Sequence, residues 1–301
     1  MPRGPRLDAP GALHHVVVRG IEGRPIFLDG RDRQDWLDRL AALAAEADLA
    51  VLAWALLPNH AHLLVRTGRA PLSTIMLRLL TGYAGGFNRR HARTGRLFQN
   101  RYKSILVEAE AYLLELVRYI HLNPLRAGLV RTVEALARYP WCGHRVILAR
   151  RGGPAWQPVD EVLGSFGEQR ARARRRYLDY VRAGAALGRR PELQGGGLRR
   201  SMGGWRATLR LRRGREHGLA DERILGSGSF VEAVHQALEK APVAPARTPE
   251  QMDVLLERCA ELWGVVRDEL SSGSRRRAVT EARAAACRVA VKDLGLPATV
   301  V

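Results

Sequence analysis

From Leu49 to Val65 the chain runs without a single aspartate, glutamate, lysine or arginine, and only Pro58-Asn59 interrupts it. A continuous apolar run bounded by turn residues reads as a buried strand. Leu49–Leu57 is therefore one strand, Pro58-Asn59 the turn, and His60–Val65 the returning strand of a tight antiparallel hairpin. Side chains alternate faces along a strand. His60 and His62 then share one face, while Ala61, Leu63 and Val65 share the other. The second set packs on a core. The first presents two imidazoles side by side, as a metal site requires.

The flanking segments place this hairpin in a larger pattern. Leu13–Val18, with three consecutive valines before Gly20, reads as a buried strand. Asp29–Ala47 reads as a helix: Asp29 or Asp32 can cap it, and Trp36, Leu37, Leu40, Leu43 and Ala44 recur at helical spacing. Pro71 opens a second helix to about His91. Leu97–Val107 reads as a fourth strand and Glu108–His121 as a third helix, stopped by Asn123-Pro124. A further short helix is expected within Leu125–Leu136. Strand–helix–strand–strand–helix–strand is the order of a ferredoxin-like α+β fold, an antiparallel sheet with helices on it. Beyond residue 150 the texture changes to basic, Gly/Pro-interrupted segments with helices at Glu168–Ala183, within Asp221–Lys240, at Thr248–Leu270 and at Arg275–Leu294. The expected division is 1–150, an α+β domain; 151–215, a basic linker and helical region; and 216–301, a mainly α-helical extension. Residues 1–12 read as a loose basic arm.

Charge bounds the partners. The formal net charge is +19 over 301 residues, which speaks to polyanion binding rather than to fold. Nucleic acid is the first candidate and an anionic membrane surface the second. Lysine occurs only at Lys103, Lys240 and Lys292, so arginine carries nearly all of the charge. The three cysteines, Cys142, Cys259 and Cys287, are too dispersed for a disulfide framework or a CxxC zinc site, which fits a reducing cytoplasm. No signal-peptide pattern opens the chain, and no apolar run reaches the ~18 residues of a membrane span.

Tyr119 and Asn123 are four residues apart, so a helix through both offers a hydroxyl and an amide oxygen on one face. Two imidazoles and an amide oxygen leave open positions on a divalent ion for substrate oxygens. Tyr112, two turns earlier on nearly the same face, and Tyr102 are rival nucleophiles. His121 is rotated off that face, towards solvent or a backbone contact. His14 and His15 flank the first strand and are assigned no role.

Three ordered motifs now carry a resemblance. They are Leu57-Pro58-Asn59-His60-Ala61-His62, then Gly95-Arg96-Leu97-Phe98-Gln99-Asn100-Arg101-Tyr102-Lys103-Ser104, then Tyr119-Ile120-His121-Leu122-Asn123-Pro124-Leu125-Arg126-Ala127-Gly128-Leu129-Val130. Over about residues 10–150 the chain resembles the REP-associated tyrosine transposases of the HUH single-strand transposase superfamily. The resemblance implies a divalent metal, Mg or Mn, held by His60, His62 and Asn123, with Tyr119 as nucleophile. Many members of the superfamily carry Gln where Asn123 stands. It also implies single-stranded hairpin DNA as substrate and a 5′-phosphotyrosine intermediate. Asp221–Val231 resembles the C-terminal extension of longer members, which leads there into helices similar to the DNA-binding domain of the DnaA initiator. Against those relatives the helix-turn-helix reads as incomplete. Gly226-Ser227-Gly228 reads as a turn and the start of a helix, because no GK[ST] follows.

Arg89, Arg90, Arg93 and Arg96 cluster before the fourth strand, and Arg101 and Lys103 alternate with Tyr102 along it. Arg172, Arg175 and Arg176 belong to a dense run on a later helix. These are the candidate DNA contacts, of the phosphate-tracking kind that salt weakens. Trp156, Tyr177, Tyr180 and Trp205 read as core residues, with base stacking as the alternative. The reading is a metal-dependent single-strand DNA endonuclease and strand transferase, bacterial and cytoplasmic on the nucleoid, a monomer rather than a dimer. The alternatives are a non-catalytic DNA-binding regulator and a zinc-stabilised RNA-binding module.

Overall fold

The valine run, the charge-free hairpin and the segment before Glu108 pair into one sheet. In the computed structural model, residues 7–150, 153–188, 193, 221, 223–240 and 249–292 are described. The sheet contains β1 (Leu13–Arg19), β2 (Ala50–Leu57), β3 (His60–Arg66), β4 (Lys103–Val107) and β5 (Ile224–Leu225) in the order β2-β3-β1-β4-β5. The first four pair antiparallel. Their order, with β1 and β3 inside, is that of the ferredoxin-like fold expected from the sequence. β5 joins β4 in parallel.

Alternation along these strands makes two cores. Val16 and Val18 of β1 and Ala61, Leu63 and Val65 of β3 pack against α1 (Gly30–Ala47) and α2 (Leu72–Arg90), around Trp36, Leu40, Tyr83 and Phe87. Asp29 caps α1 by accepting from the Asp32 N–H at 2.9 Å. The Tyr83 hydroxyl donates to the Ile26 carbonyl, so the buried phenol is satisfied.

The opposite face carries α3 (Ala109–His121), α4 (Asn123–Arg126), α5 (Val133–Arg138), α6 (Gly143–Leu148), α7 (Val159–Gly164) and α8 (Arg170–Ala185). Leu52, Leu64 and Ile105 of the sheet meet Leu116, Val117 and Ile120 of α3 there, with Val162 of α7 and Tyr177 and Val181 of α8. Helices α7 and α8, beyond residue 150, thus share a core with the sheet. Compact units divide instead at residue 235, into 1–235 and 236–301.

The outer sides of β2 and of β4 both have backbone partners. The Leu56 N–H donates to Trp141 O and the Val51 N–H to Trp156 O, each at 2.9 Å, along β2. On the far side, the Leu106 N–H donates to Arg223 O and the Glu108 N–H to Leu225 O, each at 2.8 Å. Covered edges present no row of unpaired backbone groups to another strand.

The sequence pattern misplaced several boundaries. Leu97–Tyr102 is irregular, and β4 begins only at Lys103; Tyr102 and Leu97 are instead drawn into the α1/α2 core. Asn123 is not on α3 but opens α4. Leu7 to Ala12 is no loose arm: Leu7 is buried with Leu106, Ile224 and Val231, and Asp8 accepts from the Leu72 N–H at 2.6 Å. Residues 1–6, the Gly-rich segments 195–197 and 203–204, Trp205 and the linker 241–248 lie outside the described residues. Ile224-Leu225 forms the fifth strand, and α9 (Gly228–Lys240) follows it.

In the second unit, α10 (Pro249–Trp263), α11 (Arg267–Ser271) and α12 (Arg277–Lys292) enclose Cys259, Ala260, Val265, Leu270, Val279, Ala282 and Ala286. A single helix was expected over 248–270. It ends at Gly264, whose φ is +58°. The Val265 N–H donates to Ala260 O and the Gly264 N–H to Glu261 O, the paired bonds of a Schellman stop that glycine permits.

Candidate active site

The antiparallel register sets the site. Arg19 of β1 faces His60 of β3, Val17 faces His62, and Val17 also faces Lys103 of β4. Lys103, Val17 and His62 therefore form one row across the sheet, with Arg19 and His60 in the next. The two histidines share a face as the alternation requires, their ring centroids 5.1 Å apart.

Each of the pair has its Nδ1 engaged. His60 Nδ1 lies 2.7 Å from Asn59 Oδ1. The Asn59 amide is oriented by its Nδ2, which donates to Gly23 O at 3.0 Å. The oxygen therefore faces the imidazole, His60 carries its proton on Nδ1, and Nε2 holds the lone pair. His62 Nδ1 lies 3.1 Å from His15 Nε2. Burial, then the positive charge of Arg19, pushes His60 down to about 4. Burial also takes His62 well below its ordinary range, helped by His15, His60 and Arg19. Both imidazoles are neutral at physiological pH, the form that binds metal.

From the other side, α3 delivers Tyr119, 3% exposed. Its ring stands edge-on to His62 and to His15, with centroids 6.0 Å from each. The Arg126 guanidinium lies 5.3 Å from the Tyr119 ring centroid. Asn123 Nδ2 donates to Tyr119 O at 3.0 Å and to Ile120 O at 3.4 Å. The amide nitrogen is turned into the helix end, so the Asn123 oxygen is not used in these bonds. The structure thus brings His60, His62 and Tyr119 of a single chain together, with Asn123 bonded to the backbone of Tyr119.

Residues that fit a metal would be the two imidazoles and the Asn123 oxygen. Among the described residues no three His, Cys, Asp or Glu side chains converge on a metal position. The candidate donor set would be two imidazole nitrogens and an amide oxygen. That suits a divalent ion retaining several positions for water or substrate.

The sequence passed over three residues here. His15 was given no role, yet it is fully buried and touches both His62 and Tyr119. Asn59 was read only as a turn. Arg19, exposed beside His60, places a cation on the site face. Strand alternation put His15, Val17 and Arg19 on one face; the register that aligns them with β3 was needed to show which face. His14, the neighbour of His15, is buried on the α1/α2 side with Ser104 Oγ 3.1 Å from its Nδ1.

One further expectation is corrected. His121 does not reach solvent or a backbone group: it is fully buried, its Nδ1 2.8 Å from the Tyr177 hydroxyl, which lies 2.7 Å from His144 Nδ1 on its other side. Tyr177 is core, as preferred. Tyr180 packs on α3, its hydroxyl donating to Glu115 at 2.9 Å. Tyr112 packs half-buried on the α3 core. Arg89, Arg96, Arg101, Lys103, Arg172 and Arg175 are exposed. Arg93 lies over the Phe87 ring at 5.7 Å. Arg90 is committed to Asp32 and Asp35, and Arg176 donates to Phe166 O at 3.0 Å.

The ferredoxin-like sheet thus carries a histidine pair on one strand and a tyrosine on the helix above it. Residues 11–123 match the model of the family described as Transposase IS200 like. Among solved structures, a REP-associated tyrosine transposase bound to a REP hairpin is similar at 18% identity and a TM-score of 0.43, over 53% of this chain and 90% of that one. A transposase from Deinococcus radiodurans R1 is similar at 17% identity and a TM-score of 0.28, over 38% of this chain and 92% of that one. No curated protein matches the sequence. No helix among the described residues is long and apolar enough to cross a membrane.

Proposed function

We propose that the chain is a metal-dependent single-strand DNA endonuclease and strand transferase that works through Tyr119. The observation that carries this reading is the approach of the Tyr119 ring to His62, with centroids 6.0 Å apart, within one chain. A site assembled from one chain is consistent with a monomer. The substrate class, single-stranded DNA folded as a hairpin, is what the resemblance carried by the three motifs implies.

The Tyr119 oxygen attacks the scissile phosphorus, the phenolic proton leaves, and the bond from phosphorus to the 3′ oxygen breaks. The 3′ oxygen takes up a proton, giving a free 3′-OH and a 5′-phosphotyrosine. One phosphodiester is exchanged for another, so rejoining to a new 3′-OH needs no nucleotide cofactor. A phenol of pKa near 10 is a weak nucleophile at neutral pH. His60, His62 and Asn123 would hold Mg or Mn, which when bound neutralises charge on the phosphate and stabilises the leaving oxygen. Arg19 and Lys103 supply fixed positive charge on either side of the histidines. Arg89, Arg93, Arg96 and Arg101 track the strand, with Arg172 and Arg175 and the C-terminal helices adding sequence-independent contacts. The working place is the cytoplasm, on the nucleoid.

The test is covalent trapping. Labelled hairpin DNA and Mn should give an adduct on a denaturing gel that is absent with EDTA and absent in Tyr119→Phe. Tight DNA binding with no adduct on any hairpin would leave a non-catalytic DNA-binding regulator.

A further inference from the structure

We infer that His15 is a positioning residue: it accepts a hydrogen bond from His62 and so fixes the His62 tautomer that presents a bare Nε2 to a divalent cation. The inference rests on the reading of His60 and His62 as metal ligands and adds the device that prepares one of them.

His15 and His62 lie on neighbouring strands, with rings nearly parallel at 21° and centroids 5.4 Å apart. The contact joins His15 Nε2 to His62 Nδ1 at 3.1 Å, and both rings are buried. Two imidazoles in nitrogen-to-nitrogen contact share one hydrogen between them. If His15 donates it, His62 carries its own proton on Nε2 and can only donate towards the site. If His62 donates it, Nε2 keeps its lone pair and is a ligand. The contact thus decides between an anion-binding and a cation-binding His62.

The neighbouring histidine shows which choice the site makes. Asn59 accepts from His60 Nδ1 at 2.7 Å and is itself fixed by Gly23 O. His60 therefore presents a bare Nε2. A pair that is to ligate together needs the same tautomer in both rings, so His15 takes for His62 the part that Asn59 takes for His60. Metal-ligating histidines are commonly oriented in this way through their second nitrogen, and losing the partner costs 10–100-fold in affinity. His15 also stands edge-on to Tyr119, so its ring sets the distance between the imidazole pair and the phenol.

Two variants separate positioning from packing. His15→Leu fills the space and cannot accept a hydrogen bond; His15→Gln can. Mn²⁺ affinity is read on the full-length protein without DNA, by electron paramagnetic resonance or calorimetry. The expected result is a loss of about 10–100-fold in His15→Leu and recovery of most of it in His15→Gln. The Mn concentration giving half-maximal adduct should rise by the same factor. Equal Mn²⁺ affinity in wild type and His15→Leu overturns the inference, as does a His15→Gln protein that melts like wild type yet binds Mn²⁺ as poorly as His15→Leu. A wild type that binds no Mn²⁺ instead overturns the reading of the pair as ligands. Should His15→Leu fail to fold, ¹⁵N spectra of histidine-labelled wild type decide: a His62 protonated on Nδ1 is expected, and one protonated on Nε2 is contradictory.

Discussion

The two faces of the sheet are built from alternate residues of the same strands and do opposite things. Towards α1 and α2, Val16, Val18, Ala61, Leu63 and Val65 make an apolar core around Trp36 and Tyr83. Towards α3, the intervening positions are His15, Arg19, His60 and His62, met by Tyr119. One face holds the strands in register, and register is what brings three imidazoles from two strands together. A one-residue slip of β3 against β1 would exchange the faces and dismantle the site.

This comparison predicts that substitutions on one face change stability and on the other chemistry. The largest effect should come from Trp36→Ala, which removes a fully buried ring and costs about 3–5 kcal/mol of unfolding free energy. Adduct formation per folded molecule should be unchanged, as read by pairing denaturant melts with trapping yields. His60→Ala is the converse. The ring is only half-buried, at the end of β3, so the melting temperature should change little, while the Mn-dependent adduct rate falls by at least about 100-fold, beyond the usual loss from an outer partner. A crossover in either variant would break the division of labour.

Acid should act on both faces alike. Burial holds His14, on the α1/α2 side, and His144, on the α3 side, down to about 4. The unfolded chain takes up protons from pH 6.5 downward, whereas the folded chain keeps both rings neutral until about 4. Their contribution is therefore intact above pH 6.5 and is lost as pH falls towards 4. Thermal melts should show this slope, and His14→Gln or His144→Gln should each flatten it; a melting temperature independent of pH across that window would contradict it. The smallest effect is expected at the surface. Arg89→Ala and Arg96→Ala should each reduce the salt dependence of single-strand binding by about 0.7 in the log–log slope, with melting temperature unaltered. An unchanged slope would remove those arginines from the DNA path.

Much of this was legible in the sequence because the signals are local. The alternation Ala61, Leu63, Val65 against His60, His62 needs only a strand, and the strand–helix order needs only periodicity. What depended on distant partners was not legible. His15 is one of nine histidines until β1 pairs with β3. Ile224-Leu225 is too short to read as a strand and becomes one because β4 offers an open edge. His121 looked like a polar residue off the active face, but α8 returns Tyr177 from 56 positions away to bond it. Arg90 read as one more basic residue, whereas Asp32 and Asp35 hold it on α1.

The central claim is that one tyrosine, Tyr119, carries the chemistry above the histidine face. Trypsin cuts after Arg101, Lys103, Arg118 and Arg126, so Tyr102, Tyr112 and Tyr119 fall on three different peptides. The direct measurement is mass mapping of the trapped adduct after tryptic and nuclease digestion. The account predicts a nucleotide mass on the peptide Tyr119–Arg126 and on neither of the others. A nucleotide on the Tyr112 or the Tyr102 peptide would contradict it.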